Sequence, residues 1–397
     1  MNEKESFFLL CNLEGVYLTQ IKALLSVFKT PENVFKATDK EIIKSRVLDE
    51  KDTEIFLKSR KNDLILKDLE KAEKDGINFV YQSHPDFPVQ LKNIPEAPLC
   101  LYVKGSLPDP MKYSVGMVGA RKCSGYGKEM ALKFSKNLAS RDIQIISGMA
   151  LGIDTFSSKG ALEVGGKTFV VLGTGVDVIY PLDNIELYYQ IILSGGGIIS
   201  EFPLGTYGNP INFPFRNRII SGLSDKLLII EARKRSGTLT TAGHALRQDV
   251  DIYAVPGRIT DKTSEGCNRL ISDGCGVMLD LEDFLNDLYL KEPRGKRLLS
   301  NGNLGNNLNQ KSTKMEYERK FQNNADLELS PFKEADDIGL SDESRRILNK
   351  ISFTPITIEK LIKETESDVN EVMIALSELE LMGLIEEVSK DLYVRVN

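Results

Sequence analysis

Residues 113–154 read YSVGMVGARKCSGYGKEMALKFSKNLASRDIQIISGMALGID. Two apolar runs, YSVGMVGA and IQIISG, flank GKEMALKFSKNLAS, whose apolar residues recur at helical spacing. A strand buried on both faces, an amphipathic helix and a second such strand make a βαβ unit with parallel strands. The pattern continues outward. INFVY and PLCLYVKG lie before it, and KTFVVLGTG, GGIISEF, KLLIIEA, DIYAVPG and GVMLD lie after it. Most of these runs end in glycine, and helix-like stretches separate most of them. The expected fold over residues 76–285 is α/β, a parallel sheet with helices on both faces.

The flanks follow other patterns. Residues 1–75 show helical spacing in FFLLCNL, IKALLSVF and NDLILKDLEKA, with Thr30 and Thr38 placed as N-caps. A helical domain is expected there. Residues 286–340 are rich in Asn, Lys, Ser and Gly and poor in apolar residues, which predicts a flexible linker. Within 341–397, SDESRRILNKI, TIEKLIKET and DVNEVMIALSELELMG predict three helices, and LIEEVSK and DLYVRV two strands. That order is a winged-helix arrangement.

At 397 residues the chain has room for two or three domains. No apolar run spans a membrane, and MNEKESFFLL has neither the basic start nor the cleavage site of a secretory leader. The five cysteines are scattered, without a CxxC pair, as free thiols of a reducing compartment would be. A cytoplasmic protein is expected. His84 and His244 stand far apart without nearby cysteines, so no zinc site and no His-activated nucleophile is expected. No cofactor or catalytic group is evident. The net charge of −6 by itself argues against a nucleic-acid partner. Over residues 113–280, however, basic residues slightly outnumber acidic ones.

Ligands of open parallel sheets bind at the carboxyl ends of the strands. Five segments fall there. Gly119-Ala120-Arg121-Lys122 precedes a helix, and its open N–H groups, the helix's positive end and the Arg121 fork suit a phosphate. A tight structural turn suits the same residues. Ser147-Gly148 and Gly152-Ile153-Asp154 place small residues between a strand and a helix, with Asp154 read as a capping residue before a catalytic acid. Gly173-Thr174-Gly175, leading to Pro181, reads as a phosphate cradle or a rigid turn. Phe213-Pro214-Phe215-Arg216-Asn217-Arg218 joins aromatics to arginines, the chemistry by which single strands are held without sequence choice. The alternative puts both phenylalanines in the core and pairs Arg216 with a carboxylate. Arg233-Lys234-Arg235 before Ser236-Gly237-Thr238 is either a second phosphate loop or a solvated one. Clustering of cations on one edge matters more to a polyanion than overall charge.

Taken in order, these segments resemble the DprA/Smf family. The likeness runs through His84-Pro85-Asp86-Phe87-Pro88, Pro98–Gly105, Val118-Gly119-Ala120-Arg121, Ser147-Gly148, Gly152-Ile153-Asp154 and Gly173-Thr174-Gly175 with Tyr180-Pro181. It continues through Ser200-Glu201-Phe202-Pro203, Phe213–Gly222, Ser236-Gly237-Thr238, Ala254-Val255-Pro256-Gly257 and Gly266-Cys267-Asn268. The resemblance implies an extended Rossmann-like domain between an N-terminal helical SAM-like domain and a C-terminal winged-helix domain. It implies a non-enzymatic protein that binds single-stranded DNA, forms a homodimer and loads the RecA recombinase in natural transformation and recombination. Carried over, Arg121 would grip a phosphate, the loops of Gly119 and Gly148 would line the pocket, and Phe213 would face a base. Arg216 and Arg218 would sit in or behind the phosphate track. Ala120, Lys122, Ser147, Gly152, Asn217, Ser236, Gly237 and Thr238 complete the expected nucleic-acid-binding set. The chain departs from many relatives at Asn212 and Ser158, where they have histidine, and at Leu182, where some carry a basic residue.

Three rival functions fit the sequence less well. A nucleoside-monophosphate phosphoribohydrolase of the lysine-decarboxylase-like (LOG) type needs a glutamate where this chain has Thr241. A dehydrogenase needs GxGxxG spacing that Gly119-Ala120-Arg121 lacks. A transcription factor would read DNA with residues 368–382, which carry Asp368, Glu371, Glu378 and Glu380 and no lysine or arginine. That charge repels phosphate, so residues 341–397 are expected to bind protein.

Overall fold

A computed structural model describes residues 1–300 apart from 14–15, 17 and 61–63. Of residues 341–397 it describes all but 349, 352–355, 366, 382–384, 390–391 and 396–397. The chain forms two compact units, the first being Met1–Thr206 with Pro214–Asn307 and the second the remainder.

The first unit opens with helices α1 (Glu3–Asn12), α2 (Leu18–Phe28), α3 (Pro31–Lys36), α4 (Asp39–Ser45), α5 (Glu50–Ser59) and α6 (Leu64–Lys74). Both expected caps are in place. Thr30 accepts from Asn33 N–H, and Thr38 forms a capping box with Glu41. Phe7 and Phe8 of α1 and Leu69 and Ala72 of α6 pack in one core with Phe79, Tyr102, Val170 and Ile198 of the sheet. The amphipathic faces of α1 and α6 thus cover one end of the sheet.

Strands and helices then alternate: β1 (Ile77–Tyr81), β2 (Cys100–Gly105), β3 (Ser114–Val118), α7 (Gly125–Ala139), β4 (Gln144–Ser147), α8 (Ile153–Glu163), β5 (Thr168–Val171), α9 (Ile185–Leu193), β6 (Gly197–Ser200), α10 (Asn212–Gly222), β7 (Lys226–Ile229), α11 (Gly237–Arg247), β8 (Asp251–Ala254), α12 (Glu265–Ser272), β9 (Gly276–Val277), α13 (Leu281–Tyr289) and α14 (Arg294–Ser300). The nine-stranded sheet has the order β1-β2-β6-β5-β4-β3-β7-β8-β9. β2 pairs antiparallel with β1 and β6, and every pair from β6 across to β9 is parallel. Ile145, Val170, Ile198 and Leu228 are fully buried, as strands covered on both faces require. The α/β fold expected from the strand pattern is therefore present.

From β3 the chain winds outward through β4 and β5 to β6. It returns along α10 to β7, on the other side of β3, and continues to β8 and β9. The strand order thus reverses between β3 and β7, and in open α/β sheets ligands bind at the carboxyl edge of such a reversal.

The linker expected from residue 286 starts too early. Leu285 and Leu288 are buried with Phe284 in the core, and the Arg294 guanidinium donates to Gly222 O (3.2 Å) and Gln248 O (3.1 Å). The sequence over 291–297 reads as a linker because its cations and Pro293 give no sign of these long-range contacts. Residues 301–340 lie outside the described residues.

In the second unit, α15 (Asp342–Leu348), α16 (Ile358–Thr365) and α17 (Val369–Leu381) accompany β10 (Ile356–Thr357), β11 (Ile385–Ser389) and β12 (Leu392–Arg395). The strands pair antiparallel in the order β10-β12-β11. Ile347, Leu361, Leu376, Leu379 and Tyr393 form the core of this winged helix. On α17, Val369, Met373 and Ile374 are exposed.

Candidate nucleic-acid interface

The loop after β3 lies pressed against the loop after β4. Ile153 N–H donates to Ala120 O (3.2 Å). Gly152 has φ +79°, and a Cβ there would stand 2.3 Å from the carbonyl oxygens of both Ala120 and Arg121. A Cβ on Gly119 would stand 2.6 Å from Ile153 Cγ1. These glycines let loop meet loop. Ala120 is half-buried between them, while Arg121 and Lys122 extend exposed side chains from the outer turn.

Ser147 is buried, its hydroxyl donating to Met117 O (2.7 Å). Gly148 N–H donates to Asp154 Oδ2 (3.1 Å), and Gly148 O accepts from Arg216 Nη1 (3.0 Å). The same Nη1 reaches Val171 O, and Arg216 Nε donates to Asn217 Oδ1 (3.1 Å). Arg216 is thus a strut tying the ends of β4 and β5 to α10. Asn217 Nδ2 lies 3.5 Å from Gly237 O. Ser236 caps α11 by accepting from Thr238 N–H (3.2 Å), and Thr238 is buried. Just before it, Arg233, Lys234 and Arg235 are exposed.

The structure therefore brings residues 119–122, 147–148, 152, 216–217 and 236–238 to one sheet edge. Phe213 is half-buried in the first turn of α10.

Arg216 and Arg218, expected in or behind a phosphate track, are both buried. Arg216 is 4% exposed and Arg218 0%. Arg218 forks onto Glu201 (2.6 and 2.5 Å) and donates to Glu96 O and Phe215 O (3.0 Å each). Its guanidinium carbon also stacks 3.8 Å from the Phe215 ring centre. Both arginines spend their donors on protein oxygens, since a buried guanidinium must be satisfied where it lies.

α7 follows the segment read as either a phosphate site or a tight structural turn. Its positive end, read from the sequence as open to phosphate, meets the buried carboxylate of Glu231. That group accepts from Ser124 N–H (2.8 Å), the Ser124 hydroxyl (2.6 Å) and the Thr263 hydroxyl (3.1 Å). Glu231 and Glu201 were missed by sequence reasoning. The available signal was a carboxylate directly after an apolar strand run, in KLLIIEA and GGIISEF alike.

What faces outward is a rim of exposed cations: Arg121 and Lys122 on one side of the reversal, Arg233, Lys234 and Arg235 on the other. β3 and β7 are sheet neighbours, so these two loops are adjacent. Exposed cations on two adjacent loops can hold a polyanion by its phosphates. Among the described residues no group of three or more His, Cys, Asp or Glu could hold a metal ion, and no helix is long and apolar enough to cross a membrane. All five cysteines are free thiols.

Two groups, the buried Asp154 and the half-buried His244, have pKa values moved to between 4 and 6. Burial pushes the Asp154 carboxyl up to about 6, against the pull of Arg216. Burial, with Arg247 beside it, holds the His244 imidazole down at about 4. The Asp154 shift favours folding at low pH, and that contribution is lost as pH rises from about 4 through 6. The His244 shift acts oppositely: its contribution is present above the ordinary histidine value and lost as pH falls through about 4. The two offset one another in the parent. Relative to it, Asp154→Asn should lose stability on acidification from pH 6.5 to 4, and His244→Gln should gain it. Each difference is on the order of 2–3 kcal/mol, measured by urea unfolding across that window. Parallel curves for all three proteins would remove both shifts from the account.

Comparison with known proteins follows the same lines. Residues 78–289 match the family model for DNA recombination-mediator protein A, and residues 331–389 match that for the DprA winged helix domain. Protein Smf of Synechocystis sp. is 29% identical over 395 residues, 97% of each chain. DNA processing protein DprA of Streptococcus pneumoniae is 40% identical over 200 residues, covering 50% of this chain and 70% of that one. The X-ray structure of DprA from Streptococcus pneumoniae superposes with a TM-score of 0.61 at 31% identity, over 72% of this chain and 98% of that one. With its reversed parallel sheet, its cation-rimmed edge and its winged helix, this chain belongs to the DNA recombination-mediator protein A family, the DprA/Smf proteins.

Proposed function

We propose that this protein binds single-stranded DNA, without sequence preference, along the carboxyl edge of its sheet. Arg121, Lys122, Arg233, Lys234 and Arg235 hold phosphates, and Phe213 faces a base. The protein is a cytoplasmic homodimer that passes the strand to the RecA recombinase in natural transformation and recombination. It needs no cofactor and performs no covalent chemistry. The observation that carries this reading is the pairing of two exposed basic loops on neighbouring strands. The relatives' names, DNA processing protein and recombination-mediator protein, support it.

Fluorescence anisotropy of a labelled oligo-dT, with a matched duplex as control, tests the reading. Binding should favour the single strand. Five phosphate contacts predict a slope of log affinity against log salt of about −3 to −4. Equal binding to both forms, or a flat salt response, would count against it.

A second reading, hydrolysis of nucleoside monophosphates, has one observation in its favour: a carboxyl held at about 6 behind a sheet edge. Against it, Asp154 is buried facing Gly148 N–H, and Thr241 is buried where that chemistry needs a glutamate. Release of free base from AMP or CMP would establish it.

A further inference from the structure

In open α/β sheets the crevice at the reversal is where phosphate-bearing ligands enter, on the N–H groups that begin the first helix. Here that place is between the ends of β3 and β7, at the start of α7, a helix of 15 residues. The protein fills it from within. Glu231, 1% exposed, follows β7 and lays its carboxylate on the first turn of α7. Oε2 takes Ser124 N–H (2.8 Å), and Oε1 takes the hydroxyls of Ser124 (2.6 Å) and Thr263 (3.1 Å). The approach is close enough to forbid a side chain: a Cβ at Gly127 would stand 2.3 Å from Oε2 and 2.4 Å from Cδ. Three loops, after β3, β7 and β8, thus converge on one carboxylate.

A buried carboxylate is costly unless it is hydrogen-bonded, and three donors with the helix's positive end supply what water would. The N–H and hydroxyl of Ser124 are groups a phosphate at this helix start would use, and the Ser124 hydroxyl also caps Gly127 N–H (3.1 Å). We propose that Glu231 is a built-in anion: its carboxylate occupies the position a nucleotide phosphate would take, and so closes the sheet reversal to mononucleotides. The edge is left with side-chain cations on its rim, which suit a continuous polyanion better than a single phosphate group. Glu231 is a specificity-determining residue, and the inference stands whether or not the rim carries DNA.

The test is anion rescue, measured without DNA. Glu231→Ala removes the carboxylate and leaves its donors buried and unsatisfied. Its thermal midpoint should fall, then recover by several degrees with inorganic phosphate or formate, relative to chloride at equal ionic strength. The parent and Glu231→Asp, which keep an internal anion, should show no such gain, nor should Glu231→Gln, whose amide fills the space. If Glu231→Ala does not fold in chloride, refolding yield in formate against chloride replaces the midpoint, and a higher yield in formate is expected. A parent that gains as much from formate beyond chloride as Glu231→Ala does would overturn the proposal. So would Glu231→Ala that responds to every anion alike. Because no strand is present, this outcome and that of the anisotropy experiment fail independently.

Discussion

Replacing Glu201 by alanine is expected to cost about 3–5 kcal/mol of folding stability. The reason is Arg218. It is wholly buried, and its fork is held by both oxygens of Glu201. Removing the carboxylate leaves a guanidinium in the interior with the carbonyls of Glu96 and Phe215 and the Phe215 ring, and no counter-charge on its fork. The pair itself need not stabilise the protein, because its desolvation offsets its attraction. Glu201→Leu combined with Arg218→Met should therefore recover most of the loss. Urea unfolding of the parent, Glu201→Ala and the double variant measures both effects. The double variant also tests the reassignment of Arg218, because it should bind oligo-dT as the parent does. Loss of binding in a stable double variant would return Arg218 to the phosphate track.

Gly152→Ala is the second large effect. The residue sits at φ +79°, and its new methyl would meet two backbone oxygens at 2.3 Å. Neither oxygen is the end of a flexible side chain, so the loops after β3 and β4 must part. Strain and overpacking together predict a loss of about 3 kcal/mol, with Arg121 displaced and strand affinity falling at least tenfold. Gly125→Ala is the control. Nothing lies within 4 Å of its Cβ, and the residue begins α7, so stability should hold or rise slightly. A Gly152→Ala protein as stable and as active as Gly125→Ala would contradict the packing described for these loops.

The frame of the protein was legible because it is written locally. Apolar runs such as IQIIS and KTFVV declare strands covered on both faces, and Thr30 and Thr38 declare helix starts by their own side chains. The rim cations were legible as well, as basic residues in turns between strand and helix. What escaped was pairing across the fold. Arginine in a glycine-bearing motif reads the same whether it meets a phosphate or a carboxylate, and the sequence places Glu201 and Arg218 on separate elements. The Glu231 carboxylate likewise reaches Ser124 from the far side of the reversal. The helices at 281–300 escaped for another reason: their contacts are few and specific, and composition averages them away.

The central claim is that exposed cations after β3 and β7 hold a single strand by its phosphates. Anisotropy of labelled oligo-dT at several salt concentrations, for the parent, for Arg121→Ala with Lys122→Ala, and for Arg233→Ala with Lys234→Ala, tests it most directly. The account predicts that each pair weakens binding and makes the salt slope shallower by about 1.4, two single-strand contacts, with the thermal midpoint unchanged. Parent-like affinity and slope in both pairs would place the strand elsewhere and contradict the account.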